Sequence, residues 1–275
     1  MRKTGFTFLL ILGLSSLLTG QTNDDERRTA NTDRERKAHN EMINRVENQR
    51  PPLKKIQRFY GKLTKEQKKR ITPSEADYSK YTLFLKSPGT GIVKILPNPK
   101  CDLRIVNAVD LKCAQALPIA GMGSSYSFSK ESHSTPFRYD ISFTDNNLSV
   151  GFRDTLSGLI IDLGNSDINS INLNTEEIQF LTNFLPAKSN SEVLKQREQF
   201  AKGFESKGRV YTTKSFARLN TTYALRSVNY YKARYYRLVD YYDDITLVFR
   251  IVNIDSEGAI TLIWKELRKK ANVRL

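Results

Sequence analysis

Ile245-Thr246-Leu247-Val248-Phe249-Arg250-Ile251-Val252, followed by the loop Asp255-Ser256-Glu257-Gly258 and by Ala259-Ile260-Thr261-Leu262-Ile263-Trp264-Lys265-Glu266-Leu267, decides the fold class. Ile245, Leu247, Phe249 and Ile251 recur at every second position, the period that places side chains on one face of a sheet. The polar loop ends in a Gly able to take positive φ, so the two runs read as a hairpin. Pairing Ile254 with Ala259 sets Ile251 opposite Leu262 and Phe249 opposite Trp264. These are branched and aromatic cross-strand pairs of the kind that stabilise a sheet. A slip of one residue would turn the whole apolar face to solvent, so the register is firmly specified.

The same alternation recurs upstream. Tyr139, Ile141 and Phe143, then Leu148, Val150 and Phe152, flank Asp145-Asn146-Asn147 as a second hairpin over residues 138–152. Residues 92–96, 125–129, 158–163 and 223–231 read as further strands. Helix signals lie between them. Thr72-Pro73-Ser74-Glu75 opens a helix, with Thr72 as N-cap and Pro at the first helical position, running to about Leu85. Asn174-Thr175-Glu176-Glu177 opens another, with Ile178, Leu181, Phe184 and Leu185 as its core stripe and Pro186 as its stop. A third starts near Ser191, presents Val193, Leu194, Phe200, Ala201 and Phe204, and ends before Gly208. Strands, a helical pair, then strands again predict an α+β domain over residues 72–275, a mainly antiparallel sheet with a few helices.

The chain starts differently. Arg2 and Lys3 precede an apolar run over residues 6–18 that ends at Gly20, the parts of a secretory signal peptide over residues 1–20. The run is shorter than the about 20 residues a membrane-spanning helix needs, and no Cys lies near its end to carry a lipid. After cleavage no second apolar segment follows, so the expectation is export, to the periplasm, the cell surface or the medium. Losing Arg2 and Lys3 lowers the formal net charge of +15 by two. Such an excess favours anionic partners, and it serves solubility equally well.

Residues 21–71 form a basic arm, expected to be partly disordered and partly helical: fifteen Lys and Arg stand against eight Asp and Glu in residues 21–70. Leu53, Ile56, Phe59, Tyr60 and Leu63 fall at helical spacing among Lys54, Lys55, Arg58 and Lys62, and Thr64-Lys65-Glu66-Gln67 caps a short helix through Lys68, Lys69 and Arg70. Two readings stand. These cations contact a polyanion or lipid headgroups, or the arm packs on the main domain and leaves a solvated charged face.

Cys101 and Cys113 are the only cysteines, and an even count in an exported chain predicts one disulfide. It would close a loop of about a dozen residues, worth roughly 3 kcal/mol on the chain-entropy model. A zinc site lacks ligands, since His39 and His133 are the only histidines, and the spacing is not that of a redox Cys-x-x-Cys.

Eight of the thirteen tyrosines fall between Tyr211 and Tyr242. Tyr230, Tyr231, Arg234, Tyr235, Tyr236 and Arg237 form the candidate binding surface, because aromatic rings beside guanidiniums stack sugars or bases and bind their anionic groups. The competing reading turns one Tyr of each doublet inward and the other to solvent. Asp240, Asp243 and Asp244 lack the spacing of a calcium loop and read as a solvated loop whose aspartates pair with nearby arginines. Ser127-Phe128-Ser129-Lys130 matches Ser-x-x-Lys, but the companion elements of that enzyme class are absent and a strand is the wrong setting. His133 reads as a loop histidine in contact with water. Gly-x-Ser-x-Gly, a phosphate-binding Gly loop and His-Glu-x-x-His are absent, and nothing points to a cofactor.

Tyr81-Thr82-Leu83-Phe84-Leu85 through Pro97, together with residues 245–267, resembles segments of uncharacterised exported bacterial proteins. The resemblance implies export and a bacterial source, and it carries no activity or site residue. Three functions remain in play: a non-enzymatic envelope or extracellular binding protein for an anionic polymer, lipid headgroups or a glycan; a secreted hydrolase using His133, Glu131 or the Asp240–Asp244 cluster; and a structural subunit of an envelope assembly.

Overall fold

A computed structural model describes residues 63–98, 120–133, 139–151, 156–232 and 239–274. The signal peptide, the arm up to Lys62, the Cys101–Cys113 pair and residues 234–237 lie outside the described residues. In chain order the helices are α1 (Lys65–Ile71), α2 (Glu75–Lys80), α3 (Thr82–Leu85), α4 (Glu176–Asn183) and α5 (Asn190–Lys202). The strands are β1 (Thr90–Ile95), β2 (Ser125–Tyr126), β3 (Ile141–Thr144), β4 (Asn147–Ser149), β5 (Leu156–Asp162), β6 (Phe204–Ser206), β7 (Arg209–Thr212), β8 (Lys214–Phe216), β9 (Thr222–Lys232), β10 (Val239–Ile254) and β11 (Ile260–Arg274).

The fold is α+β. A seven-stranded sheet runs in the order β1-β11-β10-β9-β5-β7-β6, and a four-stranded sheet in the order β2-β3-β4-β8. Every strand pair in both is antiparallel. Period two divides β10 between two cores. Ile245, Leu247, Phe249 and Ile251 join Phe128, Ile141, Phe143 and Leu148 of the smaller sheet in one buried cluster, while Val248 joins Leu181 of α4 and Phe200 of α5 in another. The large sheet is therefore covered by strands on one face and by helices on the other.

The expected pairs Ile251–Leu262 and Phe249–Trp264 are present. Ile254 faces Ile260 instead of Ala259, because a bulge between Ile251 and Asn253 inserts one residue into β10. The turn closes on the Asp255 side chain, which accepts from the Glu257 and Ala259 N–H groups and pairs with Lys94 at 2.7 Å. Trp264 lies across Gly91, where an added Cβ would stand 2.5 Å from the indole.

Caps explain most helix ends. Thr64 and Gln67 form the expected capping box of α1, and Leu63 and Ile71 pack on Leu96 and Ala259. Thr72 closes α1 with its hydroxyl on the Lys68 carbonyl, so the cap of α2 is Ser74, whose Oγ accepts from the Asp77 N–H. The helix expected to reach Leu85 breaks at Tyr81, which leaves helical geometry (ψ 16°) and separates α2 from α3. Leu185, expected in the core stripe of α4, is 82% exposed, because α4 ends at Asn183 and its cap Phe184 is extended. Phe204 starts β6 instead of closing α5, after Gly203 at φ 78°. Among the described residues no helix is long and apolar enough to cross a membrane.

Candidate ligand recess

The strands β9, β10 and β11 run on past the end of the smaller sheet, and the step between them holds a small recess of about 20 Å³, open to solvent. Its floor carries Ser227 and Asn229 of β9 and Asp243 of β10, its wall Ser129 and Asp140 from the smaller sheet's side. Lys130 and Lys269 stand at its edge, and the chain of β11 at Lys270 and Ala271 closes one side.

The wall is set by one turn. Ser127 and Ser132 exchange backbone bonds of 3.0 and 3.1 Å, and Phe128 between them is buried against Trp264 (ring centroids 5.6 Å). Anchoring Phe128 fixes where Ser129 and Lys130 emerge. Asp140 is buried and accepts three hydrogen bonds: from Ser127 Oγ at 3.2 Å, the Ser129 N–H at 3.1 Å and Ser227 Oγ at 2.9 Å. Burial pushes its carboxyl above the usual carboxylate range, and the bonds to the charged form only partly offset that. Lys269 Nζ donates to the Ser129 carbonyl at 3.0 Å, tying β11 to the same turn.

Asp243 and Asp244 are strand residues, 8% and 2% exposed, which corrects the expectation of a solvated loop. Being consecutive, they point to opposite faces. Asp243 accepts from the Tyr231 hydroxyl and from the Asn272 N–H at 2.8 Å. Asp244 faces the helical layer and takes both Nε (3.0 Å) and Nη2 (2.9 Å) of Arg226, with Arg268 Nη2 at 3.1 Å. Arg226 Nη1 also donates to the carbonyls of Leu181 (3.0 Å) and Phe184 at the end of α4, groups a helix terminus leaves without a partner. The expected pairing of aspartates with arginines holds for Asp244.

The tyrosine surface divides. Tyr230 is 2% exposed, its hydroxyl donates to Gln196 and accepts from the Ala187 N–H, and burial pushes its pKa up to about 12. Tyr231 is 8% exposed and stacks on Tyr241 at 4.9 Å. Neither of these two presents an open ring, a correction with two causes: Tyr230 packs under the α5 layer, and Tyr231 is covered by Tyr241. Tyr241 does present one, at 39% exposed, with Arg274 as its cross-strand partner. Lys68, Lys69 and Arg70 lie exposed in the last turn of α1, where positive charge suits the helix dipole.

Ser127 directs its hydroxyl at Asp140 and Ser129, not at Lys130, so the Ser-x-x-Lys match forms no nucleophile pair. His133 is not a solvated loop residue. Its Nδ1 lies 3.0 Å from the Ser125 carbonyl, its ring packs edge-on against Tyr126, and burial lowers its pKa. Among the described residues no three His, Cys, Asp or Glu side chains converge as a metal ion requires.

Sequence reading missed Asp140, Ser227, Asn229 and Lys269, and took Lys130 only as part of the Ser-x-x-Lys match. The one local signal was the run Arg268-Lys269-Lys270 directly after an apolar strand, and its meaning depends on β11 continuing through it. Comparison of the chain with protein-family models, with curated proteins and with solved structures finds no match.

Proposed function

We propose that the protein is an exported, non-enzymatic envelope or extracellular binding protein whose partner is an anionic polymer or glycan. The observation that carries this reading is the pair of lysines, Lys130 and Lys269, brought from two separate parts of the chain to one polar recess. The basic excess, +15 in the full sequence and two less without Arg2 and Lys3, supports it from a distance by drawing anions to the whole surface. Asp140 and Ser127 do not form a hydrolytic pair in this reading. Their polar atoms satisfy one another, and no activated nucleophile stands beside them.

The test is retention of the purified chain on envelope fractions from its host across a salt series, beside a variant with Lys130 and Lys269 changed to Gln. Retention that falls steeply with salt is expected, because each Lys contact releases counterions. Absence of retention at low salt would refute the reading.

A further inference from the structure

We propose that the step recess, on the reading of the protein as an envelope binder, recognises an acidic sugar: a hydroxyl-rich ring carrying one anionic group.

The rim and the floor ask for different chemistry, and one ligand must meet both. Lys130 is exposed and forms no ion pair with another described residue. Lys269 places one of its three donors on the Ser129 carbonyl, which aims the ammonium over the recess and leaves two donors open. This rim suits an anionic group.

Below it lie Asp140 and Asp243, acceptor-only when ionised, beside the Ser227 hydroxyl and the Asn229 amide. Asp140 is buried and held by Ser127, Ser129, Ser227 and the Phe128 backbone, whereas Asp243 accepts two bonds against about four acceptor sites on a carboxylate. Acceptor capacity therefore remains on Asp243. A hydroxyl group can use it, whereas a bare inorganic anion would meet like charge beneath the ammoniums. A neutral sugar would use the floor and leave the rim solvated.

An aromatic surface adjoins them. Tyr241 stands two residues along β10 from Asp243, hence on the same face and roughly 7 Å away. Its ring is held at 21° to Tyr231, whose hydroxyl is bonded to Asp243, so the stacking ring and the recess floor are braced by one residue. The other face of Tyr241 is the place for the C–H face of a pyranose, an apolar surface with polar edges like the tyrosine itself. The anionic group then lies at the mouth of the recess beside Lys130 and Lys269, and the ring lies outward over Tyr241 toward Arg274.

The experiment titrates the full mature chain with D-glucuronate, glucose 6-phosphate, D-glucose and inorganic phosphate, followed by amide shifts of Ser129, Asn229 and Lys270. The two charged sugars separate a carboxylate from a phosphate as the anionic group. Binding of at least one of them, about tenfold or more tighter than glucose and phosphate, is expected, a tenfold gap being about 1.4 kcal/mol. Changing Lys130 and Lys269 to Gln should remove it. Tyr241→Ala, at an exposed position, should weaken it several-fold with the thermal midpoint unchanged. Phosphate binding as tightly as the charged sugars, glucose binding as tightly, or no charged sugar binding would each overturn the proposal. Envelope retention that survives the lysine changes, with no acidic-sugar binding, would sink this inference alone and leave the envelope reading standing on another surface.

Discussion

Replacing Asp244 with Ala should be the most damaging single change to the polar groups of this domain. The side chain is 2% exposed and anchors two guanidiniums, holding Arg226 through both oxygens at 3.0 and 2.9 Å and Arg268 at 3.1 Å. Arg268 is 24% exposed and can turn to water, so its loss should cost no more than a surface pair, about 1 kcal/mol. Arg226 is 7% exposed and cannot. Its charge would remain buried with only the carbonyls of Leu181 and Phe184 to receive it. Breaking a buried pair from one side costs about 3–5 kcal/mol. For a domain of this size that corresponds to roughly 6–20 °C of thermal midpoint, at about 2–4 °C per kcal/mol. Urea melts of the full chain measure it directly, provided the slope is unchanged. The double change Arg226→Met with Asp244→Leu should recover part of the loss, because no uncompensated charge remains and only the α4 carbonyls stay unsatisfied. A cost below about 1 kcal/mol for Asp244→Ala would refute the reasoning, since it would mean that the cluster is solvated like an exposed pair.

Two further outcomes follow from the packing and the recess. Gly91→Ala puts a Cβ 2.5 Å from the Trp264 indole, and Trp264 is itself held by Phe128. The overlap should cost about 1–3 kcal/mol in a urea melt, and a stability equal to the parent would show that the indole can move. Asp140→Asn keeps the shape and lets the amide donate to Ser227. Because the folded carboxyl is raised above its ordinary 3.8, its contribution is fully present below that value and is lost as pH rises through the folded pKa. The stability of the Asn variant relative to the parent should therefore climb as pH rises from about 4 toward neutrality. A flat or falling difference curve would overturn the assignment of burial as the dominant cause.

Local chemistry made much of this fold legible. The Thr64–Gln67 box and the alternation of Ile245, Leu247, Phe249 and Ile251 are short-range patterns that the structure bears out. Errors arose where a neighbour distant in sequence outweighed a local preference. Asp243 and Asp244 look like loop residues because carboxylates are costly to bury alone. They sit in a strand because Arg226, Arg268 and Tyr231 come to meet them. The short strands β6, β7 and β8 had no readable pattern, being three or four residues long and largely exposed. Tyr230 was expected at the surface and is buried, because α5 supplies Gln196 to its hydroxyl.

The amino-acid sequence by itself determined the strand period, the capping box of α1 and the Ile251–Leu262 and Phe249–Trp264 pairs of the last hairpin, since each depends on short-range patterns. Only the tertiary structure decided the recess. Asp140 bonds Ser227 across 87 positions, and Lys269 bonds the Ser129 carbonyl across 140. Such contacts depend on which sheet edges stack, and that choice is made by the summed burial of apolar faces, Phe128 against Phe249 and Trp264 among them. The polar groups carry no local pattern that announces where this packing will place them.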